Sequence, residues 1–241
     1  MHQSGGAHQP ATTGEGEQDT KLNQALVATG PDAKRVAESG RFVALQPTAD
    51  VVQPRGQQRR HDHAGGEHGY MRDWNATLDA FEQALGALDS GKCTVFSSGM
   101  AAANAVFDLF PPASAVVASQ FSYTGVTVRL KELHELGRIQ LRLVDITDDV
   151  AVEKAIAGDG EPASWVWIET PTNPMMEICD IEATAAVARH FGAYLAVDST
   201  FMTPIRQRPL ELGAHLVMHS ATKGIAGHSD LLMGALVTQD E

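Results

Sequence analysis

A chain of 241 residues, 43% hydrophobic and 20% charged, is long enough for one large globular domain or two small ones, with an ordinary soluble composition. A formal net charge of −12 with no basic stripe excludes nucleic acid as the main partner. No run is apolar enough to span a membrane and no signal-peptide pattern opens the chain, so a cytoplasmic protein is expected. Cys93 and Cys179 form neither a CxxC motif nor a disulfide framework and read as core-facing thiols in a reducing compartment.

Residues 1–65 are rich in Gly, Gln, His and Thr. Leu22, Leu26 and Val27 suit a short helix and 42–45 a short extended piece. The rest of this extension is expected to be poorly ordered unless it wraps a neighbouring subunit. His61, Asp62, His63, Glu67 and His68 are ligand types for zinc or nickel. In a Gly-rich segment without fixed geometry they read as a solvated polar loop, and no metal is expected.

From Thr77 the pattern becomes regular. Leu78, Phe81, Leu85 and Leu88 recur at helical spacing, with Gly91 as a stop. A strand at 93–96, a turn at 97–100 and a helix from Ala101 to Phe110 follow, closed by Pro111-Pro112. Then come a strand at 115–118, a helix from Thr127 to Leu136, a strand at 141–144 and a helix from Val150 to Ala157. Trp165-Val166-Trp167-Ile168 reads as a strand ending at Glu169. The helix Ile181–Phe191 has Asp180 as its N-cap and Gly192 as its stop. Strands at 194–197, 215–218 and 234–237 complete the chain, and no internal repeat is present. Short apolar strands alternating with helices predict an α/β fold with a mostly parallel central sheet and helices on both faces.

Ligands in such sheets sit beyond the carboxyl ends of the strands. Ser98, Glu169, Asp198 and Ser220 each follow a strand, so one site can draw on all four. Ser98-Gly99-Met100 opens a helix straight after a strand and offers an anion its exposed N–H groups. Asp198 ends one strand, and Ser220, Thr222 and Lys223 follow the next. This order suits pyridoxal 5′-phosphate (PLP). The lysine would form a Schiff base with the aldehyde, and the acid would keep the ring nitrogen protonated. Taken singly, each piece has a plainer reading: a connection, a strand-end cap, a surface lysine. His219 and His228, beside the lysine, read as packing or hydrogen-bonding residues.

The text from Glu169 onward closely resembles the Cys/Met-metabolism PLP enzymes, which include cystathionine γ-synthase, cystathionine γ-lyase, methionine γ-lyase and the O-acylhomoserine sulfhydrylases. The matching residues are Glu-Thr-Pro-Thr-Asn-Pro (169–174), Val-Asp-Ser-Thr-Phe (197–201), Thr-Pro (203–204) and Gln-Arg-Pro-Leu-Glu-Leu-Gly-Ala (207–214). His-Ser-Ala-Thr-Lys-Gly (219–224) and Gly-His-Ser-Asp (227–230) continue the match. Upstream, Ser-Ser-Gly-Met-Ala-Ala (97–102) and Tyr70-Met71-Arg72, with Asn75 and Thr77, extend it to about residue 70.

The resemblance implies the large domain of the type I, aspartate aminotransferase-like PLP-dependent transferase fold over 66–241. It implies γ-elimination or γ-replacement on a sulfur-containing or O-acylhomoserine-type amino acid, with a β-lyase or a noncatalytic PLP-binding fragment as alternatives. Lys223 resembles the Schiff-base lysine and proton shuttle, and Asp198 the ring-nitrogen partner, with Thr200 beside it. Gly99 and Met100 resemble the phosphate-binding N–H groups, helped by Ser220 and Thr222, and Asn173 the residue near the ring hydroxyl. Tyr70 and Arg72 resemble the pair that reaches a neighbouring subunit's phosphate, which implies a homo-oligomer, a tetramer in the family.

The chain also departs from the family pattern. The ring-stacking tyrosine is expected at Tyr123, although gapless alignment on Thr127 puts Thr124 there. Ala76 replaces a proline after Asn75. The chain ends at Glu241, so the family's C-terminal small domain, whose arginine grips the substrate carboxylate, is expected to be absent.

Overall fold

The computed structural model describes residues 76–239; the N-terminal extension and the His61–His68 cluster lie outside them. Helix α1 (Ala76–Leu88) leads into β1 (Lys92–Phe96), and α2 (Gly99–Phe107) follows at once. Then come β2 (Ser114–Ser119), α3 (Thr124–Glu135), β3 (Ile139–Val144), α4 (Asp149–Ala157) and β4 (Trp165–Glu169). The chain continues through α5 (Ile181–Phe191), β5 (Tyr194–Asp198), the four-residue α6 (Thr203–Arg206), β6 (Leu216–His219) and β7 (Gly234–Thr238).

The strands form one seven-stranded sheet in the order β1-β7-β6-β5-β4-β2-β3. The pairs from β6 through β5, β4 and β2 to β3 are parallel. Strand β7 is antiparallel to both of its neighbours, β1 and β6, and so runs against the other six. The expected mostly parallel sheet is therefore present with one reversed strand. An apolar strand buried on both faces carries no signal for its direction, so the reversal is invisible in sequence.

Two apolar layers follow from the two-residue period of the strands. All five residues of β4 are buried. Trp165 and Trp167 point into a core shared with Ala102, Val106 and Phe107 of α2 and Leu130 of α3. Val166 and Ile168 point the other way, into a core with Val152 and Ile156 of α4 and Ile181 and Ala185 of α5. Phe107 meets Trp167 edge-on at 4.9 Å, an arrangement worth about 0.5–1.5 kcal/mol beyond the buried area.

Local signals set most boundaries. Asp180 caps α5 by accepting from the Ala183 N–H at 2.9 Å, and Gly192 stops the helix in the left-handed region at φ 72°. Helix α2 ends three residues before the expected Phe110. Proline disfavours helical backbone in the residue before it, and the chain tightens into turns from Leu109 N–H to Val106 C=O and from Phe110 N–H to Phe107 C=O. That tightening carries the Phe110 ring into the core, 5.4 Å from Trp165.

A candidate cofactor cavity at the strand ends

The site begins with the chain directions. Six strands end on the same side of the sheet, and α2, which follows β1 at once, starts there. Ser98 has extended backbone, and its Oγ accepts from the Ala101 N–H at 3.1 Å. The Ser98 side chain is thus used as the cap of α2, and the N–H groups at the helix start are left for an anion. Gly99 is required by a close approach: a Cβ there would lie 2.7 Å from both Cβ and Oγ of Ser220. The helix start and the loop after β6 therefore form a single wall.

Beyond the strand ends lies a cavity of about 390 Å³. Every site residue expected from the sequence that falls among the described residues lines it: Gly99, Met100, Tyr123, Asn173, Asp198, Thr200, Ser220, Thr222 and Lys223. Tyr70 and Arg72 lie outside the described residues. Of the two alternatives in the ring-stacking loop, Tyr123 lines the cavity and Thr124 does not. A Cβ at Gly125 would come within 2.9 Å of the Tyr123 ring and 3.0 Å of Met100 Sδ, so that glycine lets ring and thioether close on each other.

Asp198 is buried at the end of β5, and its Oδ1 accepts from both the N–H (3.0 Å) and the hydroxyl (2.5 Å) of Thr200. The Thr200 hydroxyl in turn accepts from the Ser220 N–H at 2.8 Å, which ties the β5 end to the β6 loop. Among the described residues Asp198 Oδ2 has no hydrogen bond and keeps its lone pairs for an occupant. Burial pushes the Asp198 carboxyl above its ordinary range; the Thr200 hydroxyl and N–H, and His219, oppose that shift.

Glu169 pairs in register with Asp198 on the adjacent strand. It is 5% exposed and also lines the cavity. Burial, and then the negative charge of Asp198, push it up to about 8, against the backbone N–H groups of Tyr123 and Asn173. The sequence marks Glu169 as a strand-end residue but gives it no role, because a cross-strand partner shows only once the register is known.

Lys223 is exposed toward the cavity and forms no ion pair among the described residues. The Ser220 hydroxyl has no hydrogen bond among them either. Thr222 differs: its hydroxyl donates to Met233 C=O at 3.1 Å and accepts from Met233 N–H at 3.0 Å. A hydroxyl has one proton, so Thr222 must release Met233 before it can donate to a phosphate. Behind this wall, His219 Nε2 lies 2.6 Å from Asp89 Oδ2, both side chains fully buried. Phe201, which closes the motif at 197–201, also lines the cavity, as do Leu232, Val126 and Met218, which carry no sequence signal beyond being apolar.

A free amine, a buried carboxyl with an open oxygen, an aromatic wall and a helix start with a free hydroxyl beside it share one cavity. Those are the groups that an aldehyde, a ring nitrogen, a flat ring and a phosphate call for, so the residues present fit PLP.

Comparison with known proteins agrees. The profile of the family described as Cys/Met metabolism PLP-dependent enzyme matches residues 24–241. The chain is 43% identical over 184 residues to the cystathionine gamma-lyase of Bacillus subtilis, covering 76% of this chain and 47% of that protein. It is 39% identical over 177 residues to the chloroplastic cystathionine beta-lyase of Arabidopsis thaliana, covering 73% and 38%. The crystal structure of cystathionine gamma synthase from Xanthomonas oryzae pv. oryzae in complex with cystathionine superposes with a TM-score of 0.73 at 31% identity. That match covers 96% of this chain and 56% of the other. The chain spans about half the length of the curated relatives it matches.

Proposed function

Because the chain belongs to the Cys/Met-metabolism PLP-dependent enzymes, we propose that it binds pyridoxal 5′-phosphate in this cavity and acts in transsulfuration. The substrate would be a sulfur-containing or O-acylhomoserine-type amino acid. The reaction is γ-elimination or γ-replacement, with β-elimination as the second reading because a β-lyase is among the relatives at 39% identity. The observation that carries the proposal is the convergence of Lys223, Asp198 and the α2 start on one cavity.

The cofactor, when bound, supplies an aldehyde that captures an amino group and a protonated ring that accepts electrons from a broken bond. The chain's residues supply the rest. Lys223 carries the cavity's amine, which would hold the aldehyde and, when free, would take and return the proton at the substrate α-carbon. Asp198 sets a carboxylate against the ring nitrogen and so favours its protonated state. The N–H groups of Gly99 and Met100 and the Ser220 hydroxyl take the phosphate. Tyr123 stacks on the ring, and its phenol holds a proton for the departing group. By their resemblance to the family's pair, Tyr70 and Arg72 would serve the phosphate of a neighbouring copy, and the working unit would then be a homo-oligomer.

Product analysis tests this reading. The protein, supplied with PLP, is incubated with L-cystathionine alone and with O-acetylhomoserine plus cysteine. Cysteine with 2-oxobutanoate and ammonia from cystathionine marks γ-elimination; homocysteine with pyruvate and ammonia marks β-elimination. Cystathionine formed from the second mixture marks γ-replacement. No change in any substrate would contradict the proposal.

A further inference from the structure

Three walls of the cavity come from separate strand ends: Tyr123 at the start of α3, Asn173 on the loop after β4, and Asp198 at the end of β5. One side chain touches all three. Glu169 Oε2 accepts the Tyr123 N–H at 2.6 Å across 46 residues of sequence. The Asn173 N–H lies close enough to the same carboxyl to oppose the rise in its pKa. Asp198 faces it in register across the β4–β5 ladder.

A carboxyl is a costly choice for this place. Glu169 is 5% exposed, has an acidic neighbour and no cation paired with it among the described residues. Burying such a group is unfavourable unless hydrogen bonds compensate. The hydrogen bond that compensates comes from the backbone of Tyr123, which flanks the cavity. Tyr123 makes no side-chain cap for α3, and its backbone N–H is held by Glu169.

We propose that Glu169 is a positioning residue that joins the Tyr123 and Asn173 segments to the β4–β5 edge and thereby sets the width of the slot for the flat ring of the cofactor. This deepens the reading under which the cavity takes PLP and rests on it. A plainer role, stapling two loops with no effect on the ligand, gives a different experimental result.

Glu169→Gln keeps an acceptor oxygen of the same reach, and Glu169→Ala removes it. Two readouts separate the roles: hydrogen exchange at the Tyr123 amide in the protein without cofactor, and the dissociation constant of PLP. In the alanine variant the Tyr123 amide is expected to lose protection and PLP affinity to fall roughly 10-fold, the scale of one buried hydrogen bond. In the glutamine variant protection returns and affinity stays within about threefold of the parent, because an amide oxygen accepts the same N–H. Lost protection with unchanged affinity in Glu169→Ala would overturn the proposal, since the carboxyl would then staple loops without shaping the site. Glutamine failing as badly as alanine in both readouts would overturn it as well. A parent protein that takes up no PLP contradicts the proposed function instead, and the exchange measurement alone then decides whether Glu169 holds the Tyr123 segment.

Discussion

Glu169 and Asp198 face one another at the ends of adjacent strands, and burial moves both carboxyls upward. For Glu169 the shift runs from 4.5 to about 8, so the folded protein holds this proton more tightly than the unfolded chain. Below pH 4.5 the carboxyl is protonated in both states and its contribution to stability is fully present. As pH rises toward 8 that contribution is lost, at up to about 1.4 kcal/mol per pH unit. The ionisable groups that share the cavity are Asp198, Tyr123 and Lys223, with His219 acting on Asp198 from behind. Glu169→Gln has no proton to lose. Urea unfolding of the cofactor-free protein at a series of pH values should show the variant gaining on the parent from about pH 5 to 8 and no further beyond. A difference that stays constant with pH would show that Glu169 titrates normally.

At the scale of elements, the contact between α2 and the loop after β6 decides whether the phosphate end of the cavity can form. Gly99→Ala would put a methyl 2.7 Å from Ser220 Cβ and Oγ, a distance that neighbouring atoms cannot hold. Alanine is a better helix residue than glycine, so α2 itself does not suffer. The two elements must separate, and PLP affinity should fall at least 10-fold, as expected when a positioned group is moved by about an ångström. Equilibrium dialysis measures it; affinity equal to the parent would show that the helix start does not touch the phosphate. What the sequence shows of these elements follows from the strength of local signals. Helix α5 is read to the residue because Asp180 and Gly192 mark both ends. The short α6 is missed because four residues carry no periodicity, and α3 starts at Thr124, three residues before the expected Thr127, because no side chain caps it. A buried apolar run reads as a strand wherever it occurs, yet its direction depends on neighbours far away in sequence, as β7 shows.

At the scale of the whole molecule, one sheet collects chemistry that is spread over more than half of the chain. Ser98, Glu169, Asp198 and Ser220 are legible as a set because an α/β sheet puts its strand ends on one side. Their pairing is not legible. That Glu169 opposes Asp198, and that the Thr200 hydroxyl bridges Asp198 to Ser220, depends on β4, β5 and β6 lying side by side. The His219–Asp89 contact joins residues 130 apart, and nothing local to either announces the other. The apolar lining, Val126 and Leu232 among it, belongs to the surface around the site, where composition carries no address.

The central claim is that Lys223 is the amine that holds the cofactor. The protein is loaded with PLP, reduced with borohydride, digested, and its peptides are mapped by mass spectrometry. The account predicts a pyridoxyl-phosphate adduct on Lys223 and no adduct in Lys223→Ala. An adduct on a different lysine, or an unmodified parent protein after loading and reduction, would contradict it.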